Sequence, residues 1–134
     1  MLRSLSKRNM EDVLYFCSII ERLGRETNNR RSDIIQKFSE EEVKHEIQVA
    51  WCNSCLPNEQ VIDELKAEFN IQPGSYTHNA DYLKRFEWYQ IGEIFCTYIV
   101  CLYENSEKDQ EKPLERIIKE VLEMPLSELF KNIS

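Results

Sequence analysis

The sequence predicts an all-α protein: a single-domain bundle of about five main helices, with short helices besides, around a central buried helix at about residues 86–104. Apolar residues recur at three- and four-residue steps in every long segment, which is the spacing of one helix face. Gly and Pro number only 3 and 4 among 134 residues, too few for a turn-rich β architecture. A chain of this length can bury one core without disulfides or metals, so we expect one domain over residues 1–134.

The first helix is predicted to run from an N-cap at Asn9 to Arg25. Gly24 and the polar residues 26–29 are predicted to end it, because glycine and short polar side chains commonly terminate helices. Its predicted inner face consists of Val13, Phe16, Cys17, Ile20 and Leu23.

Two capping signals and one proline divide the next segment. Ser32 is predicted to cap a short helix, and Ser39, with Glu42 three residues later, forms the capping-box pattern that opens a third helix. Pro57 is predicted to separate this helix from a fourth one. The apolar faces predicted for these helices are Ile34, Ile35 and Phe38, then Val43, Ile47, Ala50 and Trp51, then Val61, Ile62, Leu65 and Phe69.

Residues 71–81 are the longest irregular connection that the sequence predicts. A Pro-Gly pair and several turn-forming polar residues interrupt the helical spacing there. Tyr76, His78 and Asp81 share this segment, where either a polar site or simple solvation would explain them. It is the best candidate for a functional loop.

The predicted central helix covers the most apolar stretch of the chain, Trp88–Tyr103. Its apolar residues are too widely distributed for one partner surface, so several helices should pack around it. Gly92 offers a place where another backbone can approach closely. A membrane span would need about 20 apolar residues, whereas this stretch is shorter and contains Glu93, so we predict burial in a soluble core.

The last part of the chain is predicted to add an amphipathic helix and a final turn or two. A charged link at residues 106–112 precedes Pro113, which suits the start of a helix. Pro125 is predicted to close that helix, and residues 127–133 follow. The apolar stripe of the helix consists of Leu114, Ile117, Ile118, Val121 and Leu122.

The charge is negative overall but uneven along the chain. The formal net charge is −7; residues 1–37 carry eight Lys or Arg against five Asp or Glu, and residues 38–134 carry nine against nineteen. This balance argues against nonspecific binding to nucleic acid or to an anionic membrane. The beginning of the sequence lacks the apolar run of a signal peptide, so we expect a cytoplasmic protein. No sequence motif indicates a cofactor, so none is expected.

Arg22, Arg25, Arg30 and Arg31 concentrate positive charge at a corner between two predicted helices. On a structural interpretation, the first two complement the negative end of the first helix and the others are solvated or pair with nearby carboxylates. On a functional interpretation, the four residues form an anion-binding site or half of a protein interface, because Arg makes directional bonds to carboxylate and phosphate.

Cys52 and Cys55 form a CxxC pattern that follows Trp51, as in thioredoxin-like proteins. Here the pair falls at the end of a predicted helix with no strand before it, where the helix dipole would raise a thiol pKa. A structural zinc site needs four Cys or His ligands, and no second closely spaced pair is evident. The alternative left open is a small helical enzyme, or a metal- or small-molecule-binding protein, that uses Cys52, Cys55 and His45. The other cysteines that lie in apolar helical patterns are expected to be buried: Cys17, Cys96 and Cys101.

Three segments of the first half resemble an uncharacterised family of small helical bacterial proteins. They are YFCSIIE at Tyr15–Glu21, GRETNNRRSD at Gly24–Asp33 and EQVIDE at Glu59–Glu64. The resemblance implies an all-α bacterial cytoplasmic protein. It implies no activity and no catalytic residues.

The predicted function is that of a non-enzymatic cytoplasmic protein-interaction or regulatory domain, of the kind that an antitoxin exemplifies. No nucleotide-binding loop, nucleophile elbow or zinc-protease signature is present in the sequence. The expected partner is another protein or a second copy of the chain, with no membrane. Recognition of DNA by residues 28–54 is disfavoured, because Glu40, Glu41 and Glu42 would face the phosphate backbone.

Overall fold

The computed structural model describes residues 3–78, 85–106 and 112–133, and over these ranges the chain forms helices and no strands. The all-α prediction is therefore confirmed. The helices are α1 (Lys7–Thr27), α2 (Arg31–Ile35), α3 (Glu40–Ser54), α4 (Asn58–Glu68), α5 (Trp88–Glu104), α6 (Leu114–Leu122) and α7 (Leu126–Ile133). Within the described ranges, no helix is long and apolar enough to cross a bilayer.

Helix α1 is longer than predicted at both ends. Its N-cap is Ser6, whose hydroxyl accepts a hydrogen bond from the Asn9 amide at 3.1 Å. The helix continues past Gly24 and ends where Asn28 adopts the left-handed conformation, with φ of 56°. Gly24 instead accommodates the chain as it folds back: a Cβ at this position would lie 3.0 Å from the Asn29 carbonyl oxygen.

The capping box predicted at the start of α3 is confirmed. The Glu42 amide donates to the Ser39 hydroxyl at 3.1 Å, and the Ser39 amide donates to the Glu42 carboxylate at 2.9 Å. The predicted inner face is only partly right. Val43 and Ala50 are buried, but Trp51 is 58% exposed, because it lies about 100° around the helix from Ala50.

Helices α1 and α5 approach each other closely at Gly92. A Cβ on Gly92 would lie 2.7 Å from the Ser18 Cα atom, so only glycine fits at this crossing. The close approach predicted at Gly92 is thus confirmed. Since Ser18 is itself small and its hydroxyl donates to the Leu14 carbonyl at 2.8 Å, both helices present little bulk where they cross.

Helix α5 has a buried face, as predicted, but α1 contacts the larger number of helices. α1 packs against α2, α3, α4 and α5, and α5 packs against α1 and α6. α1 contributes ten buried residues and α5 five. The opposite side of α5 is exposed at Glu93 and Thr97, and near the ends of the helix Tyr89 is 48% and Leu102 43% exposed. Cys101 is also exposed, contrary to the prediction that it would be buried.

The C-terminal helices close the bundle around α2. Helix α6 packs against α2, α3 and α5, and Pro113 is its N-cap, as predicted. The Arg31 guanidinium donates to the carbonyls of Leu122 and Met124, at 3.1 and 2.6 Å, and so satisfies acceptors at the C-terminal end of α6.

Candidate functional site

The four arginines predicted as an anion-binding or interaction site occupy different environments. Arg31 is largely buried and contacts other parts of the fold. Its side chain is 10% exposed, and its guanidinium lies 3.8 Å from the centre of the Phe95 ring. Together with the carbonyls at the end of α6, Arg31 binds the Glu21 carboxylate at 2.8 Å. These contacts join α1, α2, α5 and α6, so Arg31 primarily stabilises the fold.

Glu21 is the residue of this cluster that the sequence analysis missed. It is 2% exposed and accepts hydrogen bonds from Arg31 at 2.8 Å and Arg25 at 3.0 Å. A buried carboxylate is tolerated when it is paired and fully hydrogen-bonded, as here. The sequence contained one indication of this buried ion pair. Glu21 lies one helical turn after Cys17, on the apolar side of the helix, and one turn before Arg25, with which it can pair.

Arg22 and Arg25 lie three residues apart on α1 and make different contacts. Arg22 pairs with Glu26 at 3.3 Å and its guanidinium lies 5.1 Å from the centre of the Trp88 ring. Arg25 donates to Glu21 and to the Phe86 carbonyl at 2.9 Å, but its Nη2 atom is buried and has no acceptor among the described residues.

Arg30 is the most exposed of the four arginines. Its guanidinium lies 5.0 Å from the centre of the Tyr76 ring, a cation–π arrangement. It forms no ion pair within residues 3–78, 85–106 and 112–133. Arg30 therefore remains accessible to an external anion.

The predicted functional loop packs against the junction between α1 and α2. The Gly74 amide donates to the Thr27 carbonyl and the Tyr76 amide to the Asn28 carbonyl, both at 2.8 Å. Asn29 donates from its side chain to the Gln72 carbonyl at 2.9 Å. A Cβ at Gly74 would lie 2.6 Å from the Asn28 oxygen, so this docking depends on glycine.

Two cavities flank this docked segment, with Tyr76 and His78 lining both. The first, of about 400 Å³, contains Arg30 and Arg31 together with Glu21 and Glu123. The second, of about 440 Å³, contains Arg25 and no carboxylate; its lining is Arg25, Asn28, Gly74, Ser75, Tyr76, Thr77 and His78. The structure thus brings the loop predicted from the sequence next to three of the four arginines. Asp81 lies outside the described residues.

A separate groove of about 320 Å³ runs between α3 and α4 and contains part of the alternative site. His45 and Cys52 line it, whereas Cys55 is exposed nearby and donates to the Trp51 carbonyl at 3.5 Å. Across the described part of the chain, no three His, Cys, Asp or Glu side chains are placed to hold a metal ion.

The groove between α3 and α4 is acidic. Glu46, Glu64 and Glu68 line it above an apolar floor that includes Val61 and Leu65. Glu46 is only 8% exposed, and burial, followed by the charge of Glu68, raises the pKa of its carboxyl above the ordinary value of 4.5. None of the three carboxylates forms a Lys or Arg ion pair with any residue that the structure describes.

Trp51 does not line the acidic groove; it lies five residues after Glu46 and therefore about 140° around α3 from that residue. Its ring is largely exposed, and the Arg8 guanidinium lies 5.7 Å from the ring centre. Lys7, Arg8 and Glu11 of α1 form a shallow depression with it. Leu56, in the connection to α4, is also exposed, at 37%.

No protein-family model, curated protein or solved structure matches the chain. Fold and surface define the protein only as a class, an all-α protein with an acidic groove between two helices and a separate arginine cluster around a docked loop. The chemistry of these two places is therefore argued from the side chains of this chain alone.

Proposed function

We propose that the protein is a non-enzymatic interaction domain that binds a basic segment of another protein in the groove between α3 and α4. The biological role we propose is regulation or neutralisation of that partner, as an antitoxin neutralises its toxin. A basic segment on a second copy of the chain would be bound by the same chemistry.

The observation that carries this proposal is the carboxylate of Glu46. It is buried and lies beside two further carboxylates, and no cationic side chain pairs with it among the described residues. Only His45 lies close enough to lower its pKa, and that effect is smaller than the combined opposing effects of burial and Glu68. A Lys or Arg side chain from a partner would supply the missing positive charge.

The shape of the groove suits a long basic side chain. The aliphatic stem of Lys or Arg can cover the apolar floor formed by Val49, Val61 and Leu65. The charged end would then reach the carboxylates of Glu64 and Glu68 at the groove edges. A bound side chain would therefore gain both apolar contact and charge-assisted hydrogen bonds.

The charge of the surrounding helices supports a basic partner. Residues 40–68 contain eight Asp or Glu and two Lys, so this helix pair accounts for most of the net charge of −7. A surface with one sign of charge accelerates encounter with a partner of the opposite sign and disfavours partners of like sign.

A second candidate function remains because His45 and Cys52 line the same groove. On this alternative the protein is a small helical enzyme, or a metal- or small-molecule-binding protein, that uses the groove for a ligand. Elemental analysis of the purified protein separates the two candidates. Zinc or iron at about one equivalent per chain, a stoichiometry typical of a specific site, would favour the alternative.

The proposal is tested by expressing the protein together with the products of its neighbouring genes and measuring co-elution. For a partner that co-elutes, the double variant Glu64→Gln/Glu68→Gln should weaken binding about tenfold or more, because it removes two carboxylates from the groove. The control is Glu93→Gln/Glu128→Gln, which makes the same change in net charge at exposed positions on α5 and α7. Equal losses in the two double variants, or no loss in the first, would contradict a role for the groove.

A further inference from the structure

The cavity on the Arg25 side of the docked loop has the composition of a small anion site. Its polar side chains are a guanidinium, an amide, two hydroxyls, a phenol and an imidazole, and no carboxylate lines it. The Arg30 cavity across the loop differs in that Glu21 and Glu123 line it and would repel an anion. Of the two, the Arg25 cavity is the better place for negative charge.

Arg25 enters this cavity with one donor unused. Its Nε and Nη1 atoms are bonded to Glu21 and to the Phe86 carbonyl, which fix the plane of the guanidinium. Its Nη2 atom is buried without an acceptor among the described residues. Because Nη2 is buried, an anion in the cavity meets the exposed part of the side chain, which is 22% exposed, and interacts there with the charge of the guanidinium.

His78 is held in one tautomer at the cavity wall. Its Nε2 atom lies 2.9 Å from the Asn29 carbonyl oxygen, and because a carbonyl only accepts, Nε2 carries the proton. The Tyr76 ring packs edge-to-face against the imidazole with ring centres 4.7 Å apart, which limits its rotation. Ser75 and Thr77, on either side of Tyr76, are exposed and line the same cavity.

We propose that this cavity binds an oxyanion, the phosphate or carboxylate group of a ligand, between Arg25 and the hydroxyls of Ser75 and Thr77. The guanidinium supplies charge and directional donors, and the two hydroxyls supply further donors from the loop side. The site is separate from the acidic groove, so its existence does not depend on the function proposed above.

The test is a titration of the full-length protein with inorganic phosphate, with chloride as the reference at constant ionic strength. We expect saturable shifts in the NMR signals of the residue 74–78 amides and of the His78 ring. Titrations with acetate and with O-phosphoserine distinguish carboxylate from phosphate monoester as the preferred group, and saturation by either is the expected result. Absence of a saturable response to all three anions would overturn the proposal.

Variants locate the site. Arg25→Gln should weaken the preferred anion by about tenfold or more, since a charge-assisted contact is lost. Arg25 also contacts Glu21, so its replacement affects the fold as well as the cavity. Ser75→Ala/Thr77→Val leaves that contact intact, removes two exposed hydroxyls and should weaken binding about threefold or more. Arg30→Gln, which removes a charge on the other side of Tyr76, is the control and should change affinity less than about twofold. An equal loss in Arg30→Gln, or no loss in the loop double variant, would overturn the assignment.

Discussion

Single residues decide how the acidic groove behaves, and Glu46 is the most informative. Its folded-state pKa is raised, chiefly by burial, so the charged form is disfavoured in the folded protein. The folded state therefore binds protons more readily than the unfolded state, and the stability contributed by this group is present at low pH and lost as pH rises through the folded pKa. Ionisation of Glu46 therefore opposes folding, and destabilising groups of this kind are often found at functional sites.

Glu46→Gln should accordingly raise the free energy of unfolding at pH 7, by about 1 kcal/mol. The gain should shrink as the pH is lowered towards 4.5, the ordinary value for this carboxyl, because the native side chain is then protonated as well. Urea unfolding at several pH values measures both effects. Glu59→Gln removes an exposed carboxylate from α4 and provides the reference. A lower free energy of unfolding for Glu46→Gln at pH 7 would contradict the prediction, because it would mean that favourable interactions of the Glu46 carboxylate outweigh the cost of its burial.

Trp51 should matter little for stability or for a partner bound in the groove between α3 and α4. Trp51→Ala removes a side chain that is 58% exposed, so we expect a loss in free energy of unfolding below about 1 kcal/mol. Because Trp51 lies outside the groove, a partner bound there should lose less than about 0.5 kcal/mol of binding free energy, as expected for a surface substitution away from the interface. Tyr89→Ala removes a comparably exposed aromatic side chain from α5 and should leave binding unchanged. The two effects are separated by denaturant unfolding and calorimetric titration.

The five cysteines should fall into two reactivity groups. Burial raises the pKa of Cys17, and it raises the pKa of Cys96 to about 11, so both thiols stay protonated and protected at neutral pH. The exposed thiols are Cys52, Cys55 and Cys101. Alkylation of the native protein at pH 8, followed by mass spectrometry, should modify these three first; early modification of Cys17 would mean that α1 is not packed as described.

At the scale of helices, local signals predicted some caps and missed others: the N-cap of α2 is Arg30 and not Ser32, and that of α1 is Ser6 and not Asn9. The Ser39–Glu42 pattern and Pro113 placed the starts of α3 and α6 correctly, because caps and prolines act through neighbouring backbone atoms. The extent of α1 was less predictable. Gly24 is usually a stop signal, but here tertiary packing of the returning chain, together with Asn28 in a left-handed conformation, moves the end of the helix to Thr27.

The sites were harder to predict than the elements. The arginine cluster and residues 76–78 were found separately from the sequence, but their proximity depends on backbone hydrogen bonds between residues 74–76 and 27–28, which no local pattern encodes. The acidic groove was missed in part because it joins side chains from two helices. Glu46 occupies a core-facing position in α3, a position where helical spacing alone predicts an apolar residue.

The crossing of α1 and α5 gives a prediction at this scale. Gly92→Ala should destabilise the protein by about 2 kcal/mol, because the new methyl group would overlap the backbone of Ser18 and force the helices apart. Thr97→Ala, at an exposed position in the same helix, is the control for a change in helix propensity. Thermal or urea unfolding measures the difference, and a stabilised Gly92→Ala variant would contradict the close approach.

For the molecule as a whole, charge separates two surfaces with opposite chemistry. The α3–α4 pair carries most of the net negative charge and has the groove for a cation, whereas the junction of α1, α2 and the docked loop gathers arginines. α1 joins the two, since it packs against α2, α3 and α4. The resemblance to small helical bacterial proteins and the cytoplasmic location stay predictions at this scale.

The central claim, that a partner occupies the groove between α3 and α4, is tested most directly by the alkylation rates of two exposed cysteines in the free protein and in a co-eluting complex. Cys52 lines the groove and Cys101 lies on the exposed side of α5, so one protein contains both the reporter and its control. We predict that the partner slows alkylation of Cys52 by about tenfold or more, as expected for a thiol covered in an interface, and leaves Cys101 unchanged. Alkylation of Cys52 at the same rate in the complex as in the free protein would contradict the claim.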